Sequence, residues 1–282
     1  MEEASGVKGA LVTGAAGGIG AATAARLAEA GYEVCVTDLD LGACETVASR
    51  IGGKAWARSL DVTQEDQCKA AASEVANRTG SLDLWVNNAG IVVTGVSFEQ
   101  SIEIHRRMLE VNTVGTINGT NAAIAEMRGQ EKGHVINVVS LAGLIAAPGE
   151  VGYSASKHAA IAYSLGTLYD LRRTGVGGID VSAVCPDGVW SPMISDKLHD
   201  PDATASFSGK MLLPDDVARV IVKVARKPRP VTAIPRWRGG MLRLLDAFPG
   251  LLPHLIPALL KDATRKQAKL ASRVDAGTFP PS

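Results

Sequence analysis

The chain has 282 residues, of which 46% are hydrophobic and 21% are charged. This composition is typical of a globular protein with a filled apolar core, and it excludes an intrinsically disordered chain. Because 29 acidic residues balance 29 basic residues, no net charge attracts a nucleic acid, and we exclude a nucleic-acid partner.

Strand-like runs alternate with helical patterns along the chain. The predicted strands cover residues 7–13, 33–37, 54–59, 82–87, 134–140, 179–184 and 231–234. The predicted helices cover residues 19–30, 41–50, 64–78, 101–127, 153–172 and 215–226. This alternation predicts an α/β fold, in which helices cover both faces of a parallel sheet.

The cysteines and the N-terminus bear on the cellular environment. The cysteines lack a CxxC spacing and form neither a disulfide framework nor a clustered Cys/His metal site, so we expect free thiols and no metal; they are Cys35, Cys44, Cys68 and Cys185. The acidic N-terminus does not resemble a signal peptide, and no apolar run approaches the roughly 20 residues that span a bilayer. We therefore expect a cytoplasmic protein.

A glycine-rich turn, TGAAGGIG, follows the first strand and opens the first helix. Glycines in this context let the chain turn tightly and let the backbone approach a pyrophosphate at a helix N-terminus. The spacing of the glycines departs from the usual G-x-G-x-x-G, and a tight turn without a ligand is the alternative. The predicted phosphate-binding residues are Gly14, Gly17, Gly18, Ile19 and Gly20.

Asp38 follows the second strand, 18 residues after Gly20. An acidic side chain about 20 residues beyond the turn typically binds the adenosine ribose hydroxyls of NAD. The same carboxylate repels the extra phosphate of NADP, and no lysine or arginine stands in the turn or just after Asp38 to offset that repulsion. We therefore favour NAD(H) over NADP(H); a solvated loop aspartate is the alternative.

Three side chains that can share a proton lie between residues 140 and 157. Tyr153 and Lys157 are four residues apart, so a helix places them on one face. Ser140 ends a buried strand, at the edge of the sheet where ligands bind in such folds. The alternative is a tyrosine–lysine contact of no catalytic importance beside a strand-end serine.

These motifs occur together in the order and spacing of one protein family. Over about residues 7–235 the chain resembles the short-chain dehydrogenase/reductase family, on the strength of TGAAGGIG, Asp61-Val62, NNAG, Asn112, Ser140, Tyr153-SAS-Lys157 and Cys185-Pro186. The resemblance implies a Rossmann-like, doubly wound sheet of about seven parallel strands and a nicotinamide cofactor. It also implies a homodimer or a homotetramer.

The resemblance assigns roles to four residues. Tyr153 resembles the general acid/base, and Lys157 the cation that favours tyrosinate and holds the nicotinamide ribose. An unperturbed tyrosine has a pKa of about 10, so a nearby cation is needed to lower it. Ser140 is expected to hydrogen-bond the substrate oxygen, and Asn112 to help hold a water that links Lys157 to solvent.

The remaining cofactor residues follow from the same resemblance. Asp61 and Val62 are expected beside the adenine, and Asn88, Ala89 and Gly90 on the adenosine-ribose side, with a purely structural role as the alternative for Asn88.

The segment after the sixth strand is expected to contact the nicotinamide through Pro186, Gly188, Val189 and Ser191. Ser191 stands where the family has a threonine and keeps the hydroxyl donor. Asp187 replaces the family's glycine, which puts the local backbone path and charge in question.

The substrate side is the irregular segment 187–213, which we interpret as a lid within a domain of residues 1–238. We expect an apolar pocket that includes Leu144, Val151, Trp190 and Met193; packing on the domain is the alternative for each. Residues 239–282 form a C-terminal extension with an apolar stripe and a basic end. We expect it to be helical and to pack on the domain or on a neighbouring subunit, rather than on a membrane.

The sequence thus predicts an NAD(H)-dependent oxidoreductase that interconverts a secondary alcohol and a ketone on a hydrophobic, steroid-, terpenoid- or aryl-like substrate. An NADP(H)-dependent reductase of a small or carrier-linked ketone is an alternative. A non-catalytic nucleotide-sensing or scaffold protein is a second alternative, of a different class.

Overall fold

The sheet is the centre of the computed structural model, which describes residues 7–279. Seven parallel strands lie in the order β3-β2-β1-β4-β5-β6-β7. They are β1 Lys8–Thr13, β2 Tyr32–Asp38, β3 Ala55–Ser59, β4 Leu82–Asn87, β5 Gly133–Val138, β6 Ile179–Pro186 and β7 Val231–Ile234. The strand order reverses between β1 and β4, which confirms the predicted doubly wound sheet.

Helices cover both faces of this sheet. They are α1 Gly18–Glu29, α2 Leu41–Ile51, α3 Glu65–Thr79, α4 Ile102–Leu109, α5 Gly115–Gly129, α6 Val151–Arg173, α7 Pro192–Ser195, α8 Pro214–Arg226, α9 Arg236–Asp246 and α10 Leu252–Asp275. Successive strand residues face opposite sides, so Val12 packs with α1, α2 and α8, whereas Leu11 packs with α3, α5 and α6.

The predicted helix over residues 101–127 is wrong in its middle. A π-helical turn, Glu110–Val114, separates α4 from α5. Such turns occur frequently at functional sites, and this one carries the buried side chain of Asn112. The irregular segment 187–213 also gains local structure: α7, a 3₁₀ helix at Pro201–Phe207, and a bridge between Val189 and Leu212.

The C-terminal extension is helical, as predicted. α10 runs without interruption from Leu252 although it contains Pro253 and Pro257. Pro253 lies in the first turn, where a backbone N–H has no intrahelical acceptor, and Pro257 removes a single hydrogen bond near the helix start. None of the helices within residues 7–279 combines the length and apolar character needed to cross a membrane.

Candidate active site

A cavity of about 490 Å³ opens at the carboxyl ends of the central strands. It lies where the strand order reverses, which is the usual ligand site of a doubly wound sheet. Its walls come from the glycine-rich turn, the ends of β2, β4, β5 and β6, the start of α6, and helices α9 and α10.

The glycine-rich turn forms one end of the cavity. Gly14 and Gly18 have φ values of +63° and +54°, which glycine adopts without a Cβ clash. A Cβ built on Gly17 would meet no atom within 4 Å, so its backbone is open to a ligand. These glycines and Ile19 line the cavity, whereas Gly20 instead packs tightly against the carbonyl of Gly14.

α1 begins in this turn and has no acidic residue in its first turn. Its N-terminal N–H groups and the positive end of its dipole therefore suit the phosphates of a dinucleotide. The open backbone at the turn leaves room for them, so the residues fit a nicotinamide cofactor.

Asn88 fastens the glycine-rich turn to the end of β4. Its side-chain Nδ2 donates to the carbonyls of Thr13 (3.0 Å) and Gly14 (2.9 Å). The backbone N–H groups of Asn88 and Ala89 both donate to Thr13 Oγ1. These bonds match the structural alternative for the Asn88 side chain, although Asn88, Ala89 and Gly90 all line the cavity.

Two acidic side chains, Asp38 and Asp61, also line the cavity near the glycine-rich turn. Asp38 is half-buried at the end of β2 and lines the cavity. Its carboxylate accepts hydrogen bonds from the N–H groups of Leu39 (2.7 Å) and Ala16 (3.4 Å). Asp61 and Val62 line the same region, so the predicted adenosine-binding residues are brought together.

Ser140, Tyr153 and Lys157 converge on the cavity from β5 and α6. Lys157 is only 4% exposed. Its Nζ donates to the carbonyl of Val138 (3.2 Å) and lies 5.6 Å from the centre of the Tyr153 ring. Ser140 Oγ accepts a hydrogen bond from the N–H of Ala142 (3.1 Å), which orients the hydroxyl.

Asn112 lies behind the cavity wall, in the π-helical turn. Its Oδ1 accepts from the N–H of Ile91 (2.8 Å), and its Nδ2 donates to the Ile91 carbonyl (2.9 Å) and to Ser156 Oγ (2.9 Å). A Cβ built on Gly90 would lie 3.1 Å from Asn112 Oδ1 and 3.4 Å from Lys157 Nζ. Asn112 and Lys157 therefore flank the same glycine.

Burial dominates the protonation of the two central groups. It raises the pKa of Tyr153, and the charge of Glu150 raises it further, while a hydrogen bond with Ser140 lowers it. Burial lowers the pKa of Lys157 to about 8. Burial thus favours the neutral forms of Tyr153 and Lys157. Charged neighbours must overcome this effect before tyrosinate forms beside an ammonium group.

Glu150 is a cavity residue that the sequence analysis did not single out. It is 3% exposed, immediately precedes α6, and stands one turn before Tyr153. Its Oε1 accepts from the N–H (3.2 Å) and the Oγ (2.6 Å) of Ser206. Burial raises the pKa of Glu150 to about 7, so its charge changes near neutral pH beside Tyr153.

The charge of Asp187 has a partner. Asp187 Oδ2 lies 2.9 Å from Nε of Arg238, and their side chains are 7% and 14% exposed. Burial raises the pKa of Asp187, and the Arg238 charge opposes that rise. The aspartate therefore ties the segment after β6 to α9. Pro186, Gly188, Val189 and Ser191 line the cavity beside it.

The apolar end of the cavity differs from the predicted pocket. Met193 lines it, but Leu144, Val151 and Trp190 do not. Leu144 is buried in a separate cluster, Val151 is 42% exposed, and Trp190 packs edge-on against Phe279.

Besides Met193, the apolar lining comes from α9, α10 and the loop after Ser140, through Ile145, Leu242, Leu252, Ile256, Leu259 and Leu260. Helical spacing identified the α10 stripe in the sequence, but spacing alone does not identify what the stripe packs against. Arg107 on α4 also lines the cavity, and no sequence signal singled it out.

Comparison with known proteins identifies the family of the chain. The family model for short chain dehydrogenases matches residues 8–202. A 3-beta-hydroxysteroid dehydrogenase of Comamonas testosteroni is 30% identical over 228 residues, covering 77% of this chain and 88% of that protein. A cyclopentanol dehydrogenase of Comamonas sp. (strain NCIMB 9872) is 36% identical over 207 residues, covering 72% and 81%.

A solved structure extends the comparison. A short chain dehydrogenase/reductase from Burkholderia phymatum in complex with NAD superposes with a TM-score of 0.76 and 28% sequence identity, covering 86% of this chain and 94% of that one. The chain therefore belongs to the short-chain dehydrogenase/reductase family. It is an oxidoreductase.

The Asp187–Arg238 pair predicts a stability cycle. Arg238→Met leaves a buried carboxylate without its cation, so we expect the free energy of unfolding to fall by about 3–5 kcal/mol. Adding Asp187→Asn to that variant should restore most of the loss, because no buried charge remains. Urea unfolding of the two single variants and the double variant measures this coupling.

The exposed pair of Arg173 and Asp170, whose side chains are 75% and 69% exposed, provides the control. Arg173→Met should change the free energy of unfolding by less than about 1 kcal/mol. Additive effects in the Asp187/Arg238 double variant would contradict a coupled buried pair.

Proposed function

We propose that this protein is an NAD(H)-dependent oxidoreductase that interconverts a secondary alcohol and a ketone on a hydrophobic, steroid-, terpenoid- or aryl-like substrate. The observation that carries the proposal is the convergence of Ser140, Tyr153 and Lys157 on one cavity whose far end is apolar. The hydroxysteroid and cyclopentanol dehydrogenases among its relatives support it.

The cofactor is NAD(H) in this proposal. The start of α1 binds its phosphates, Asp38 accepts hydrogen bonds from the adenosine ribose, and Ser191 contacts the carboxamide. The Asp38 carboxylate opposes the additional phosphate of NADP(H). When bound, the nicotinamide supplies the hydride acceptor or donor.

The residues of the chain handle the proton and the substrate oxygen. Ser140 hydrogen-bonds the substrate oxygen and stabilises the charge that develops on it. Tyr153 takes the alcohol proton on its phenolate oxygen during oxidation and returns a proton to the oxygen during reduction. Lys157 holds the nicotinamide ribose, and its ammonium favours the phenolate. Asn112 holds the backbone of Ile91 and helps to hold a water that links Lys157 to solvent.

The rest of the chain encloses the substrate. Residues 187–213 act as the lid of a domain that ends near residue 238, and α9 and α10 of the C-terminal extension complete the apolar wall. We expect the enzyme to work in the cytoplasm as a homodimer or a homotetramer.

Tyr153→Phe tests the proton transfer. Removing the general acid/base should lower turnover by about 10³-fold or more, while NADH affinity stays nearly unchanged. An NAD-linked screen over steroid, terpene and aryl alcohols first provides a substrate, and NADH fluorescence measures cofactor binding. Tyr163→Phe is the control, because Tyr163 lies on the same helix but its hydroxyl bonds Asn121. Retained turnover in Tyr153→Phe would refute the assignment.

Asp38→Asn tests the cofactor preference. It removes the negative charge with little change in shape, so the affinity for NADPH relative to NADH should rise by at least about tenfold. Asp40→Asn is the control: it removes the same charge two residues away, where the side chain caps α2 through the N–H of Ala43. An unchanged ratio in Asp38→Asn, or an equal change in Asp40→Asn, would remove Asp38 from the ribose site.

Glu150→Gln tests the electrostatics of Tyr153. Glu150 ionises above about pH 7, and its negative charge raises the pKa of Tyr153. A neutral glutamine should therefore shift the rising limb of the kcat/KM profile for alcohol oxidation to lower pH. Ser206→Ala is the control, because it removes a hydrogen bond but keeps the ionised carboxylate at alkaline pH. Superimposable profiles for wild type and Glu150→Gln would contradict this coupling.

A further inference from the structure

The two C-terminal helices expose an apolar face. Large hydrophobic side chains recur every three or four residues along α9, the connecting turn and α10, and so fall on one face of each helix. They are Trp237, Met241, Leu244, Phe248, Leu251, Leu255 and Leu259. Trp237 is 67% exposed and Leu244 is 64% exposed. An exposed series of this extent indicates an interaction surface. We call these seven residues the C-terminal apolar face.

The adjoining side of α10 is already occupied. Leu252, Ile256 and Leu260 are half-buried and line the cavity. Further along the helix, the buried Gln267 donates to the carbonyls of Leu198 (3.1 Å) and Asp200 (2.8 Å). These contacts fix α10 on the domain, so the C-terminal apolar face remains directed away from it.

Basic side chains accompany this face on the two helices that carry it. Residues 236–261 contain three exposed basic side chains, Arg236, Arg243 and Lys261, and one exposed acidic side chain, Asp246, a local balance of 3 − 1 = +2. None of the three forms an ion pair within residues 7–279.

We propose that the C-terminal apolar face docks on the surface of an anionic phospholipid membrane, contrary to the expectation from the sequence that the extension does not contact a membrane. Apolar side chains flanked by arginine and lysine are the features of a helix that lies in the plane of the interface. Charge argues against a second copy of this chain as the occupant, because two faces with the same basic surroundings would repel each other. Anionic headgroups neutralise these side chains.

The docked surface adjoins the cavity. Leu259 is 50% exposed and also lines the cavity. An apolar compound dissolved in the bilayer would therefore reach the cavity with little exposure to water. This last step rests on the proposed function, whereas docking itself does not.

Vesicle binding by the full-length chain tests the proposal without any activity measurement. Sedimentation with vesicles of equal phosphatidylglycerol and phosphatidylcholine should show affinity at least about tenfold higher than with phosphatidylcholine alone, because each basic side chain at an anionic surface strengthens binding about fivefold. Trp237 reports the contact, since Trp85 is buried and Trp56 and Trp190 are half-buried. Lipids brominated on the acyl chain should quench its emission, and Trp237→Phe should remove that quenching.

Paired variants separate the apolar and the charged contributions. Leu244→Gln with Leu255→Gln should weaken binding to both kinds of vesicle by about tenfold or more. Arg236→Gln with Arg243→Gln should weaken binding to the anionic vesicles alone, by about tenfold or more. Two controls change matched side chains elsewhere and should have no effect: Phe98→Gln with Ile102→Gln, which are 87% and 56% exposed, and Arg50→Gln with Lys54→Gln.

Three results would overturn the proposal. One is no binding of the wild type to the anionic vesicles. Another is an equal loss of binding in the controls. The third is a smaller particle mass of Leu244→Gln/Leu255→Gln by light scattering, with vesicle binding unchanged, which would assign the face to a subunit contact.

Discussion

The hydrogen bonds that Asn88 makes to the turn after β1 hold the site together. β1 and β4 are neighbours at the reversal of strand order, and their connections leave in opposite directions. The ladder between the two strands pairs Val12 with Val86 and stops there, one residue short of the strand ends. The Asn88 amide closes that junction through Thr13 and Gly14. The glycine-rich turn, the start of α1 and the wall formed by Gly90 all take their positions from this junction.

The sequence contained enough information for the fold and for the positions of the catalytic candidates. Strand and helix periods are local signals, and Tyr153 and Lys157 share a helix face whatever surrounds them. The π-helical turn at Asn112 has no such local signal, because Asn112 is held by Ile91, 21 residues away. The same limit applies to Glu150, whose burial depends on the 3₁₀ helix that carries Ser206.

Two of the side chains that the sequence predicted in the pocket show that a local pattern does not predict what a side chain packs against. Leu144 and Trp190 are apolar and lie near the right strand ends, yet both pack elsewhere. Most of the apolar wall is built by α10, which is more than one hundred residues from Ser140 in sequence. The net charge of the chain also does not show where the charged residues lie. The equal numbers of acidic and basic residues in the whole chain hide the excess of basic side chains beside the C-terminal apolar face.

The ion pair between Asp187 and Arg238 also constrains how such a chain can evolve. An aspartate at residue 187 without the arginine would place an unpaired charge in a nearly closed space. Arg238 alone meets a milder penalty, because it also donates to the carbonyl of Ser208 and retains some contact with water. The order of substitution that costs less stability is therefore arginine first and aspartate second. Once both are present, neither can revert alone without passing through a less stable intermediate.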